Sequence, residues 1–243
     1  MTTEIPILIP VKEYSERCKK KNYALLPYTA NWLHAQGMAD NAFVIADSPG
    51  LMELAESLHL NAYLERREPG QDELTSCRNF AEQNNIELFY LCPATQPFRS
   101  SKLLQQMKDI FEQEEERLDF ITTVSAVQDR SLFFVEKQES GFGFKHFSKT
   151  RKGSDCNSEY MIDGVLYLIR TSFLKQVINA ENANEAFWKG NFTCIENEAP
   201  FMDIDTRGDM DKFQFLLTYF NKYEPLPVFN NTNGPEAKLF IAQ

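Results

Sequence analysis

At 243 residues the chain is long enough to bury one large α/β core, and its 43% hydrophobic and 13% aromatic content is ordinary for a globular protein. A formal net charge of −10 excludes a general nucleic-acid binder, because phosphate-backbone contacts need a basic face. Five cysteines, Cys18, Cys77, Cys92, Cys156 and Cys194, show no C-x-x-C spacing, which argues against a zinc site or a disulfide framework.

Ile5, Ile7, Leu8, Ile9 and Val11 make a nearly continuous β-rich run, the pattern of a strand buried on both faces of a parallel sheet. It leads into Lys12, Arg17, Lys19, Lys20 and Lys21, interrupted by Glu13 and Glu16, a local reversal of the global charge. The loop at the carboxyl end of a first parallel strand is where open α/β sheets bind ligands. Cations there suit a polyphosphate; a solvated charged loop is the plain alternative.

Tyr28, Trp32 and Ala35 are spaced as one helical face ending near Gly37, and 41–47 reads as a second strand. Ser48-Pro49 starts a helix whose Leu51, Leu54, Ala55 and Leu58 share one side. A polar turn over 65–70 and a helix over 72–83 precede an apolar strand over 86–92 and the loop 93–97. Ser100 or Ser101 is positioned to cap a helix carrying Leu103, Leu104, Met107, Ile110 and Phe111, closed by the solvated acidic stretch 112–116. Asp119 to Val127 is a further strand.

The alternation then breaks. Leu132 to Lys137 and Phe142 to Phe147 read as a hairpin hinged at Gly141, with a basic polar loop to Gly153. Asp163 to Arg170 resumes the strand pattern, followed by a short helix, a strand near 193–196, and a last core strand over 201–205. Met210, Phe213, Leu216, Leu217 and Phe220 form a closing amphipathic helix before an irregular tail from Glu224. The pattern predicts a single three-layer α/β/α, Rossmann-like domain over 1–243 with a mostly parallel sheet and an inserted β excursion over 128–160. No basic leader and no bilayer-length apolar run are present, so the sequence predicts a cytoplasmic protein with no membrane partner.

Asp203 and Asp205 are the second chemical signal. On an extended chain residues i and i+2 project to one face, so both carboxylates point one way and Ile204 the other. Paired carboxylates repel, and Mg²⁺ is a natural partner because it takes one or two carboxylates together with substrate phosphates. Aspartates that cap the following helix are the alternative.

These segments, in this order, resemble the acylneuraminate (CMP-sialic acid) cytidylyltransferase family, with the Kdo cytidylyltransferases somewhat further off. Lys12, Ser15 and Lys21-Asn22 stand at the Arg, Ser and Lys-Asn of its A-R-x-x-S-K-x-x-x-x-K-N loop. Ala46-Asp47, Arg66 or Arg67, Asp72 to Ser76, Thr95 to Arg99, Asp163 to Tyr167 and Asp203 to Thr206 resemble its later motifs, over about nine-tenths of the chain. The resemblance implies a nucleotidyltransferase-like fold and a nucleotidyltransferase that moves CMP from CTP to a nine-carbon 2-keto sugar acid, releasing pyrophosphate. It implies catalytic roles for Lys12, Arg17, Lys21 and Asp205, with Lys12, Ser15, Arg17 and Lys21 on the triphosphate and Mg²⁺ on Asp203 and Asp205. Asn22, Arg66 or Arg67, Leu74 and Ser76 would surround cytosine and ribose, and Thr95, Gln96 and Tyr167 would face the sugar. The excursion would serve a homodimer.

Three departures stand against the family pattern. Glu16 replaces a phosphate-binding lysine, the loop lacks its usual glycines, and Pro93 occupies a position expected to carry a sugar-contacting glutamine. They leave two alternatives: a catalytically impaired nucleotide-binding relative, or a nucleotidyltransferase for another sugar acid such as Kdo. His34 and His59 read as helix-surface residues, and His146 lies in the basic segment 145–152.

Overall fold

The computed structural model describes residues 4–114, 117–127, 135–138, 141–144 and 159–223. In chain order, β1 (Ile7–Val11), α1 (Lys21–Ala35), β2 (Ala42–Ala46), α2 (Pro49–Ser57), β3 (Asn61–Leu64), α3 (Glu73–Gln83), β4 (Leu88–Leu91) and α4 (Leu103–Gln113) alternate as predicted, with β3 added. There follow β5 (Phe120–Val127), β6 (Val135–Gln138), β7 (Gly141–Phe144), β8 (Glu159–Arg170), α5 (Thr171–Ile178), α6 (Ala183–Trp188), β9 (Phe192–Glu196) and α7 (Arg207–Tyr223).

Seven strands form one sheet in the order β3-β2-β1-β4-β8-β5-β9. β1 pairs in parallel with β2 and β4, and β5 with β9, whereas β8 runs antiparallel to both of its neighbours. All five residues of β1 are buried, which is why its sequence is a continuous apolar run. Ile7, Ile9 and Val11 pack with Leu26 and Trp32 of α1, Leu51 of α2 and Met107 of α4. Leu8 enters the opposite layer with Phe80 of α3, Leu174 of α5 and Phe187 of α6. The three-layer α/β/α arrangement is therefore as predicted.

Local capping chemistry sets several helix starts. Ser48 Oγ accepts from the Leu51 amide ahead of Pro49, and Asp72 Oδ1 accepts from the Thr75 amide at 2.7 Å. α4 is different: it follows Lys102, and Ser100 Oγ accepts only from the Lys102 amide at 3.4 Å, so neither serine caps the helix. α1 begins at Lys21, inside the predicted loop. Its buried side is Leu25, Leu26, Thr29, Ala30, Trp32 and Leu33, while Ala35 is exposed.

Other expectations are corrected. The segment 201–205 belongs to no strand. β3 went unpredicted because its four residues are too few to show alternation and it sits at the sheet edge. His59 lies in a left-handed turn past the end of α2 (φ 56°) rather than on a helix, and His34 is on α1 as expected. The hairpin forms as β6 and β7, with Gln138 opposite Gly141. Its flanks, the basic loop with His146, Cys156, Glu115, Glu116 and the tail from 224 lie outside the described residues. Cys18, Cys77, Cys92 and Cys194 are free thiols. No helix among the described residues is long and apolar enough to cross a membrane.

Candidate active site

Strand order creates the site before any side chain does. β1 leads through α1 to β2 on one side of it, while β4 lies on the other side, so the chain reverses its progression across the sheet between β1 and β4. The loops leaving their carboxyl ends diverge there and leave a crevice. It measures about 700 Å³ and collects residues from the turn after β1, the loop after β4, the start of α3, β8, the α5–α6 region and the 203–205 segment.

The cationic turn is held at both ends. Asn22 Nδ2 donates to the Lys12 carbonyl at 2.7 Å, closing the turn, and the Glu13 amide donates to Asp47 Oδ1 at 2.7 Å, fixing it to the end of β2. The usual glycines are missing, and Lys20 adopts the left-handed conformation (φ 57°) immediately before α1. That geometry delivers Lys21 to the first position of the helix with its side chain pointing inward, 7% exposed.

The turn meets the aspartate pair directly. Lys21 Nζ donates to Asp205 Oδ1 and to the Ile204 carbonyl, both at 2.9 Å, and Arg17 pairs with Asp205 Oδ2 at 2.9 Å. The Ile204 amide donates to the Thr95 carbonyl at 3.0 Å, and its side chain is fully buried with Cys18, Leu25, Phe98 and Phe213. This explains the missing strand. The backbone groups of Ile204 are satisfied by Thr95 in the loop after β4 and by Lys21 at the start of α1 rather than by a ladder, and both aspartates line the crevice.

The two carboxylates differ in their surroundings: Asp205 is paired with Lys21 and Arg17, whereas no ion pair reaches Asp203 among the described residues. Burial raises the Asp203 carboxyl above its ordinary value, and the charge of Asp205 raises it further. Among the described residues no group of three or more His, Cys, Asp or Glu is placed to hold a metal ion by itself. The pair fits Mg²⁺ in a narrower sense, since that ion commonly takes one or two carboxylates and completes its shell with phosphate oxygens and water. A cation between the two would relieve the repulsion that now falls on Asp203.

No protein-family model matches the chain, and no curated protein matches it. Solved structures do. A CMP:2-keto-3-deoxy-manno-octonic acid synthetase complexed with CTP superposes with a TM-score of 0.69 at 13% identity, covering 89% of this chain and 99% of that one. A cytidylyltransferase from Leptospira borgpetersenii gives 0.62 at 17% identity, over 89% of this chain and 87% of that one. The 4-diphosphocytidyl-2C-methyl-D-erythritol synthase from Anaerococcus prevotii gives 0.57 at 12% identity, over 88% and 99%. The fold is cytidylyltransferase-like.

Within this cytidylyltransferase-like fold, Lys12, Ser15, Arg17, Lys21, Asn22, Leu74, Thr95, Gln96, Tyr167, Asp203 and Asp205 all line the one crevice. Arg66, Arg67 and Ser76 do not. Arg66 is exposed, Arg67 Nε pairs with Glu65 Oε2 at 3.0 Å, and Ser76 Oγ is buried between Gln71 and the Asp72 carbonyl. Glu16 lines the crevice but makes no ion pair among the described residues. Burial raises the Tyr167 phenol to about 12, leaving it a hydrogen-bond donor at neutral pH.

Several crevice residues escaped the sequence reading. Glu73 is open to the crevice yet ringed by protein, which raises its carboxyl against the opposing pull of Arg67, Lys21 and Lys12. Val177, Ile178, Ala183, Phe187 and Trp188 give the crevice an apolar end. Gly164 holds a positive φ of 66° with its α-carbon facing Tyr167 and Gln96. Arg99 lies outside the crevice but is fully buried beneath it, donating to the carbonyls of Pro93 and Val165 and to Thr29 Oγ1. Glu73, Gly164 and Arg99 fall within the motif segments 72–76, 163–167 and 95–99, although the sequence assigned none of them a role.

Proposed function

We propose that this protein is a cytidylyltransferase that transfers CMP from CTP to a 2-keto sugar acid and releases pyrophosphate. The observation that carries the reading is the meeting of two distant segments: Arg17 and Lys21 from the turn after β1 are bonded to Asp205 inside one crevice. Lys12, Ser15, Arg17 and Lys21 line the part suited to a triphosphate, with Asn22 and Leu74 beside them. Asp203 and Asp205 are the residues that would hold Mg²⁺, which when bound neutralises phosphate charge and orients the reacting oxygens.

The acceptor hydroxyl attacks the α-phosphorus, the bond to the pyrophosphate oxygen breaks, and the hydroxyl proton leaves to a base such as Glu73 or to water. Catalysis is then positioning plus charge neutralisation by Lys12, Arg17 and Lys21, the groups that face the developing negative charge. Thr95, Gln96 and Tyr167 supply the polar wall for the sugar. The apolar end built by Val177, Phe187 and Trp188 favours an acceptor bearing an apolar substituent, such as the N-acyl group of a nine-carbon nonulosonic acid, over Kdo, which has none. A homodimer through the 128–160 element and a cytoplasmic location complete the reading.

Pyrophosphate release measured with CTP, Mg²⁺ and a panel of N-acylated nonulosonic acids and Kdo tests it. Turnover with an N-acylated acid is the expected result; Kdo alone would transfer the reading to the eight-carbon acid, and silence across the panel would overturn it. A second reading, an impaired nucleotide-binding relative, is favoured by Glu16, an unpaired negative charge facing the phosphate end. Thermal stabilisation by CTP only in the presence of Mg²⁺, without pyrophosphate release, would support that reading instead.

A further inference from the structure

Both oxygens of Asp205 already have a cationic partner. Lys21 Nζ occupies Oδ1 and an Arg17 guanidinium nitrogen occupies Oδ2, each at 2.9 Å. The two cations differ in their freedom. Lys21 is 7% exposed and held a second time by the Ile204 carbonyl, whereas Arg17 is 66% exposed on the turn and makes only this one ion pair among the described residues. Asp203, in contrast, makes no hydrogen bond or ion pair among the described residues.

A bare divalent cation entering the crevice therefore meets one available carboxylate, one capped carboxylate and two positive charges already in place. A cation carried by a triphosphate brings surplus negative charge with it, and that charge gives Arg17 a new partner as it leaves Asp205. An exposed pair of this kind is weakly held and easily exchanged. Lys21, buried and doubly bonded, stays.

We infer that Arg17 makes this site selective for a divalent cation that arrives already bound to a nucleoside triphosphate, by competing with the bare ion for Asp205 and moving to phosphate when the complex enters. The position matters for this chain in particular. Its turn carries Glu16 where a cation is expected, so Arg17 serves both partners in turn. The inference rests on the nucleotide reading given above.

Mn²⁺ is the probe, titrated into the purified full-length protein with and without CTP, and free Mn²⁺ is followed by its electron paramagnetic resonance signal. Arg17→Met is expected to bind Mn²⁺ alone about tenfold more tightly than wild type, because one carboxylate oxygen is freed and one repelling charge removed. The same variant is expected to bind the Mn²⁺–CTP complex about tenfold more weakly, because the triphosphate loses a cation. The gain for bare Mn²⁺ should vanish in the Arg17→Met/Asp205→Asn double variant. Circular dichroism matching wild type confirms that replacing this exposed side chain leaves the fold intact. Bare-Mn²⁺ affinity in Arg17→Met that equals or falls below wild type overturns the inference, as does a gain that survives loss of Asp205. Failure of wild type to bind Mn²⁺–CTP at all overturns the nucleotide reading instead, and the same titration separates the two.

Discussion

Lys21→Met removes one charged nitrogen and keeps an unbranched apolar stem of similar length. The nitrogen makes two bonds across 183 or more positions of sequence, to the Ile204 carbonyl and to Asp205 Oδ1. A hydrogen bond to a charged group is worth about 1.5–3 kcal/mol, and a buried carbonyl left without its donor costs about 1–3 kcal/mol more. Asp205 is 34% exposed, and Arg17 and water can still satisfy it, so the lower ends apply and the loss should be about 3 kcal/mol. For a chain of this length that lowers Tm by roughly 6–12 °C. Urea unfolding at constant m-value measures it, and a cycle with Asp205→Asn isolates the pair, with an expected coupling of about 1.5 kcal/mol. Stability within about 0.5 kcal/mol of wild type, a margin typical of exposed substitutions, would mean that the turn and the aspartate segment are not joined as described, and the reasoning that unites them in one site would fail with it.

Arg99→Met should lose about 3 kcal/mol, because oxygens of Pro93, Val165 and Thr29 lose donors while relief of a buried charge offsets part of the penalty. Arg99→Lys should do no better, since one ammonium cannot reproduce a three-way fork; urea unfolding that shows either variant as stable as wild type refutes this. Asp203→Asn should raise Tm at pH 7. A carboxyl raised in the folded state destabilises the fold wherever it is charged, so the advantage should shrink as pH falls through the folded value toward the ordinary 3.8. A gain that does not change with pH in a fluorimetric melt series would exclude this cause. Gly164→Ala places a Cβ 3.1 Å from the Tyr167 hydroxyl on a backbone with φ 66°, a strain of about 1–2 kcal/mol. Steady-state kinetics should show KM for the acceptor rising more than KM for CTP; equal rises would argue against the acceptor wall.

Much of the fold was legible because its signals are local. The run from Ile7 to Val11 is apolar at every position because both faces of β1 are covered, and no tertiary knowledge is needed to see that. Ser48 and Asp72 mark their helices through bonds to amides three residues on. The direction of β8 was not legible, since side-chain alternation is the same whichever way a strand runs. The 201–205 segment looked like a strand for a related reason: its residues from Met202 to Asp205 alternate in polarity, and only the partners of its backbone show that it joins no ladder.

The site divides in the same way. The sequence by itself placed cations after β1 and two carboxylates on one face near residue 204, because both follow from composition and from the two-residue repeat of an extended chain. Only the tertiary structure decided that Lys21 and Arg17 touch Asp205, that Arg67 is neutralised by Glu65, and that Glu73, Phe187 and Trp188 reach the same crevice. Contacts between residues far apart in the chain are set by how sheet order and helix packing carry them through space, and no short stretch of sequence contains that distance.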